Sequence, residues 1–185
     1  MAEHSSMLPL GTIAPPFRLM DALSNQFYSL DEIKSDHATV IMFICNHCPY
    51  VQYILPTLLD MIQHYQTHGI KFIAICSNDG HAYPEDNVEN MKLVAEKYAY
   101  PFPYLHDDTQ QIARAYHAVC TPDFFVFDKK LHCIYRGRFD DATPRNHLPV
   151  TGNDLRNALD NILAGRAITS SSQQPSMGCG IKWKK

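Results

Sequence analysis

Apolar residues run almost unbroken over residues 38–44, and this continuity predicts a central strand covered on both faces. A second buried strand is predicted from Ile70 to Cys76. Between them the pattern changes period. Val51, Ile54, Leu55, Leu58, Leu59 and Ile62 recur at helical spacing, so a helix is expected from Pro49 onward. Pro56 falls inside it and predicts a kink rather than a stop, and Gly69 supplies the C-terminal cap.

The remaining elements are shorter. Pro9 to Phe17 is proline-rich and extended, and Phe17 to Leu30 reads as a strand or hairpin turning at Asp21 to Asn25. Asp31 to Lys34 forms one helical turn. Pro84 opens a helix to about Tyr98, Pro101 and Pro103 force an exit, and Tyr104 to His106 reads as an edge strand. Asp108 or Thr109 is placed to cap a helix reaching about Tyr116. Asp123 to Asp128 and His132 to Gly137 read as a strand pair around Lys129-Lys130, and a last helix runs from Asn153 or Asp154 to Gly165. The order β-α-β-α-(β)-α-β-β-α describes an α/β fold, a mixed central sheet flanked by helices. Serine and glutamine dominate from Ala167 to Gln174. One domain is therefore expected over residues 1–168, with a linker and small tail over 169–185.

Composition narrows the partners. The chain is 45% hydrophobic and 19% charged with a net charge of −3, so no basic field invites nucleic acid. Three terminal lysines, Lys182, Lys184 and Lys185, read as a solvated end. Residues 1–6 lack the features of a signal peptide, and no apolar run reaches the roughly 18 residues of a membrane span. The expectation is a cytoplasmic protein whose six cysteines are mostly free thiols. Cys76 and Cys133 lie in strand-like runs and read as small buried hydrophobes.

The first strand empties into Cys45-Asn46-His47-Cys48-Pro49 at the start of the long helix. Backbone amides at a helix N-terminus stabilise a thiolate, and the thiolate is the reactive form of cysteine. Proline decides which cysteine sits at the cap. With Cys45 there, Pro49 would be the fourth helical residue and delete the first intrahelical hydrogen bond. With Cys48 there, Pro49 takes the first helical position, where proline is favoured. Cys48 is thus the expected nucleophile, held ionised and accessible, with Cys45 the nearest candidate to resolve its intermediate. Whether the two form a disulfide stays open, since the backbone must turn to bring them together. His47 either lowers the thiol pKa or faces solvent.

Ala118-Val119-Cys120-Thr121-Pro122-Asp123 precedes another apolar strand. A proline there can be cis or trans. The cis form would direct the polar backbone of Thr121 toward an extended substrate or a mixed-disulfide partner. Arg136 and Arg138 either approach the thiolate or pair with Asp140 or Asp141.

Gly11-x-x-Ala14-Pro15-x-Phe17-x-Leu19-x-Asp21, the strand-to-cysteine junction and Thr121-Pro122 together resemble the redoxin group of the thioredoxin-fold superfamily, over about residues 8–165. That group contains the peroxiredoxins of the alkyl hydroperoxide reductase/thiol-specific antioxidant type and the thiol-disulfide oxidoreductases. Asn46-His47-Cys48-Pro49-Tyr50-Val51 and the terminal Gly178-Cys179-Gly180-Ile181-Lys182-Trp183-Lys184 resemble a less characterised peroxiredoxin-like subgroup. The resemblance implies a thioredoxin-like fold and a Cys48 nucleophile acting on a protein disulfide or a peroxide. It further implies no bound cofactor, and recycling by a thiol reductant such as thioredoxin or glutathione. Two departures stand out. Val51 occupies the usual resolving position, leaving Cys45, Cys120 or Cys179 to resolve. Ile41 and Cys45 stand where the peroxiredoxin signature has Pro and Thr or Ser. Cys179 either reaches Cys48 from a flexible tail or sits in a docked tail with Trp183 packed on the surface.

Two further readings follow from the same residues. Cys45, Cys48 and nearby histidines supply soft ligands for copper or zinc, although no second Cys-x-x-Cys completes a tetrahedral set. A non-catalytic interaction module would keep the fold with an ordinary Cys48 thiol.

Overall fold

Every side chain from Ala38 to Phe43 is buried, because the strand they form is paired on both edges and a packed cluster covers each of its faces. The computed structural model describes residues 2–185. In chain order its elements are β1 (Ala2–His4), β2 (Arg18–Asp21), β3 (Phe27–Ser29), α1 (Leu30–Ile33), β4 (Ala38–Phe43) and α2 (Pro49–Gln66). They continue with β5 (Lys71–Cys76), α3 (Val88–Lys97), β6 (Tyr104–His106), α4 (Gln111–Ala115) and β7 (Cys120–Thr121). β8 (Asp123–Asp128), β9 (Cys133–Gly137), α5 (Asn153–Leu163) and β10 (Met177–Gly180) complete the chain.

Seven strands form one mixed sheet in the order β3-β2-β6-β5-β4-β8-β9, and β1-β10-β7 form a small second sheet. Alternation along the central strand divides the core. Val40 and Met42 join the cluster containing Leu58 and Met61 of α2 and Leu155 and Leu159 of α5. Ile41 and Phe43 join Ala113 and Tyr116 on the opposite face. Helix α2 carries through Pro56, whose ring lies on the exposed side. No helix among the described residues is long and apolar enough to cross a membrane.

Four expectations from local pattern are corrected. Tyr104–His106 lies inside the sheet, between β2 and β5, and not at its edge. Pro84 opens only a single 3-10 turn, Pro84–Asp86, because the Asn87 side chain accepts the Asn90 N–H at 2.8 Å and starts α3 afresh. Asp108 does not cap α4, and the Thr109 hydroxyl accepts only the Gln111 N–H, at 3.4 Å. The buried Asp107 carboxylate accepts the Ala113 N–H at 2.9 Å, while Asp108 pairs with Lys184. Arg138 pairs with Asp154 of α5, not with Asp140 or Asp141.

The C-terminal residues lie along the body of the protein. Gln173 is almost fully buried, accepting from Arg136 Nη1 at 2.6 Å and donating to the Ile134 carbonyl at 3.1 Å. Trp183 takes the Arg114 guanidinium over its ring at 4.3 Å. Of the two placements expected for this segment, the docked one is observed.

Candidate active site at the cysteine loop

The loop between β4 and α2 is shaped from a distance. Asp86 is wholly buried, and one carboxylate oxygen accepts the Asn46 N–H at 2.7 Å and the His47 N–H at 3.4 Å. The other oxygen meets His47 Nδ1 and accepts Asn78 Nδ2 at 2.7 Å. His47 therefore belongs to a carboxylate and stacks on Tyr83 at 5.5 Å between ring centroids. Neither expected role for it describes this arrangement. Asn46 is held too: its amide donates to the Glu85 carbonyl at 2.7 Å, and its side-chain oxygen accepts the Tyr104 hydroxyl at 3.0 Å.

Cys48 is the N-cap of α2 and Pro49 the first helical residue, as the proline argument requires. The Cys48 sulfur lies 3.1 Å from the Thr121 carbonyl oxygen. Its pKa is lowered to about 5, chiefly by a hydrogen bond from the Cys45 thiol. Burial opposes the shift, and hydrogen bonds from Thr121, Cys179 and the Val51 amide favour it. Cys45 moves the other way, well above the ordinary thiol value, because its S–H donates a hydrogen bond to Cys48 and because it is buried. It also lies 3.3 Å from Thr121 Oγ1. Burial, then the contact with Cys48, pushes Cys179 up to about 11. The asymmetry is chemical: hydrogen bonds favour the ionised form of Cys48, whereas Cys45 and Cys179 are both pushed up.

Accessibility is a correction. Cys48 is 0% exposed, and β10, paired with β7 so that Cys179 stands opposite Thr121, packs against α2 and brings the Cys179 thiol to it. Cys120 is fully buried and its pKa is raised by burial, and it is not among the donors to Cys48. Cys76 and Cys133 are buried with pKa values pushed up to about 12, consistent with packed thiols. The Thr121-Pro122 bond, whose isomer is open from sequence, is cis. The structure thus brings Cys45, Cys48, Thr121, Pro122 and Cys179 together, with Cys120 one strand position away.

Cys45, His47 and Asp86 each offer one ligand atom, all within 4.8 Å of one another. Three donors fall short of the four a structural zinc site takes. Both Asp86 oxygens are already engaged by N–H groups, so these residues fit a shaped loop better than a metal centre. Cavities flank the site on two sides. One of about 350 Å³ is bordered by Tyr50, Pro122, Phe139 and Met177. Another of about 670 Å³ reaches Cys45 between α2 and α3.

Asp86 and Asn78 are absent from the residues that sequence reasoning singles out. Nothing local marks either: Asp86 sits in a polar turn 40 residues from the Asn46 amide it binds.

Family and structural comparisons bear on the fold. The model of the AhpC/TSA family matches residues 10–136. Among curated proteins none matches the chain. A crystal structure of an uncharacterised conserved protein from Geobacillus kaustophilus is 53% identical, with a TM-score of 0.97 over 100% of this chain and 97% of that one. A hypothetical protein from Sinorhizobium meliloti is 42% identical, with a TM-score of 0.93 over 98% of each chain. The thioredoxin domain of a thiol-disulfide oxidoreductase from Bacteroides vulgatus shares the fold at 16% identity, with a TM-score of 0.63 over 83% of this chain and 99% of that one. The fold is thioredoxin-like.

Proposed function

The chain belongs to the AhpC/TSA family, and from that premise we propose that it is a thiol-dependent oxidoreductase with Cys48 as its nucleophile. The carrying observation is the Cys48 sulfur at the start of α2, its ionised form favoured by the Cys45 and Cys179 thiols and the Val51 amide. A thiolate so placed attacks either a disulfide sulfur or a peroxide oxygen. With a disulfide, a mixed disulfide forms on Cys48 and the partner's second sulfur leaves as a thiolate. With a peroxide, the O–O bond breaks and Cys48 becomes a sulfenic acid. A second thiol then attacks the Cys48 sulfur, and an external thiol such as thioredoxin or glutathione returns the protein to its reduced form.

Thr121 and Pro122 line the nucleophile in this reading; the Thr121 carbonyl accepts the Cys48 S–H at 3.1 Å, a bond that the thiol gives up when it ionises. Cys45 keeps its proton and supplies it as a hydrogen bond to the thiolate. The test follows consumption of hydrogen peroxide and of an oxidised dithiol by the reduced protein with a thiol donor present. Cys48→Ser is expected to abolish turnover of whichever oxidant the wild type consumes. Wild-type turnover in that variant would defeat the assignment.

A further inference from the structure

β10 runs antiparallel to β7, with Cys179 opposite Thr121 and Gly180 opposite Cys120, and β1 closes its other edge. The Thr121 edge borders the nucleophile, since its carbonyl oxygen is 3.1 Å from the Cys48 sulfur. An extended partner segment that pairs along this edge brings its side chain to Cys48. The chain has filled the edge with its own cysteine.

The seat is shaped for this strand. Gly178 lies against the Thr121 carbonyl so closely that an added methyl would overlap its oxygen. Gly137, at φ +143, likewise leaves no room between itself and the Gln174 carbonyl. Anchors hold both ends: the Arg138 N–H donates to Gln174 O at 3.0 Å, and the Ile181 N–H donates to Val119 O at 2.9 Å. Beyond them, the Lys182 N–H donates to Asn78 Oδ1 at 2.8 Å. Cys179 is half-buried, whereas the other five cysteines are buried. It is the thiol of the cluster that an external reductant can reach.

We infer that β10 is an internal substrate strand: it holds the place of a partner's extended segment on the Thr121 edge, presents Cys179 as the resolving thiol, and bars larger reagents from Cys48 until it detaches. This rests on the reading of Cys48 as the nucleophile and adds the identity of its partner and its gate. With the strand seated Cys48 is wholly covered, so an oxidant reaches the sulfur only through an opening, and a small one such as hydrogen peroxide needs less of an opening than a bulky reagent. The Cys48 thiolate attacks one peroxide oxygen, the O–O bond breaks, and the second oxygen leaves as water after taking a proton. The Cys179 sulfur then attacks the Cys48 sulfenic sulfur. The S–O bond breaks, and the hydroxyl leaves as water with the Cys179 proton. Two thiols have given two electrons to one peroxide, and an intramolecular disulfide remains.

The full-length reduced protein, treated with hydrogen peroxide and mapped by mass spectrometry, tests the pairing. A Cys48–Cys179 bond in the wild type, with Cys48 trapped by a sulfenic-acid reagent in Cys179→Ser, is the expected result. A Cys45–Cys48 bond with Cys179 unmodified would overturn the inference and leave the nucleophile standing. An unmodified Cys48 beside other oxidised thiols would remove the nucleophile itself. The gate is tested by alkylating Cys48 with a bulky maleimide. Gly178→Val should accelerate labelling by roughly tenfold or more, because local opening is what limits access. Should that variant not fold, wild-type labelling by a small and a bulky reagent reads the same gate. Equal relative rates at Cys48 and at free cysteine for both reagents would count against a barring strand.

Discussion

The Asp86 carboxylate accepts the Asn46 backbone N–H at 2.7 Å, joining a turn before α3 to the loop that carries both cysteines. A buried acceptor shared by two loop amides, a histidine and an asparagine sets where Cys48 stands relative to Thr121.

Asp86→Ala should be destabilising by about 2–4 kcal/mol, since several donors lose their partner inside the protein. Denaturant unfolding measures this. Cys48 reactivity should fall at the same time, because the loop that places the sulfur loses its template. A variant with wild-type stability and wild-type peroxide turnover would show that the loop holds itself.

Cys48 should titrate far below an ordinary thiol. Thiolate absorbance in the ultraviolet is expected to appear as pH rises through about 5, the value to which its hydrogen bonds lower it. Cys45→Ala removes the largest of these and should move the midpoint upward by about one unit or more. A midpoint near that of free cysteine in the wild type would contradict an activated sulfur.

Burial pushes the Asp123 carboxyl up to about 8, with the Phe124 N–H, which donates to it at 3.2 Å, offsetting part of the effect. The unfolded chain releases that proton near pH 3.9, to within about one unit. Between these values the folded chain holds a proton that the unfolded chain has lost. Asp123 therefore lowers stability progressively as pH rises through this window, and the loss levels off above the folded pKa. Asp123→Asn is neutral throughout. Its melting temperature relative to wild type should rise from about pH 5 to about pH 8.5, by an amount equivalent to a few kcal/mol at most. A constant difference across that range would rule out a buried, protonated Asp123.

Gln173→Ala should cost about 1–3 kcal/mol, because Arg136 Nη1 and the Ile134 carbonyl both lose a partner in a covered position. Amide exchange over residues 173–180 should quicken in this variant while exchange in β4 stays slow. Unchanged exchange there would mean that the strand is seated by β7 and β1 alone.

Long apolar runs and their period were readable because burial leaves a direct trace in composition. β4, β5 and α2 follow from it, as does the start of α2 at Cys48, where one proline admits one register. Local capping was read less well. Asp107 caps α4 in place of Asp108, because folding buries the first and turns the second toward Lys184. Gly178 and Gly180 carried a resemblance without a reason until their neighbours, Thr121 and Glu3, were in place.

Sequence alone determined the order of the main strands and helices but not β1, β7 or β10, and it determined the sulfur at the head of the long helix and the proline that follows it, since each of these depends on residues near one another in the chain. Tertiary structure alone decided that Asp86 holds the cysteine loop, that Cys48 is covered, and that the Cys179 thiol is brought to it. Those outcomes depend on hydrogen bonds and close contacts between segments remote in sequence, and no local pattern of hydrophobic and polar residues encodes which distant partner a buried donor will meet.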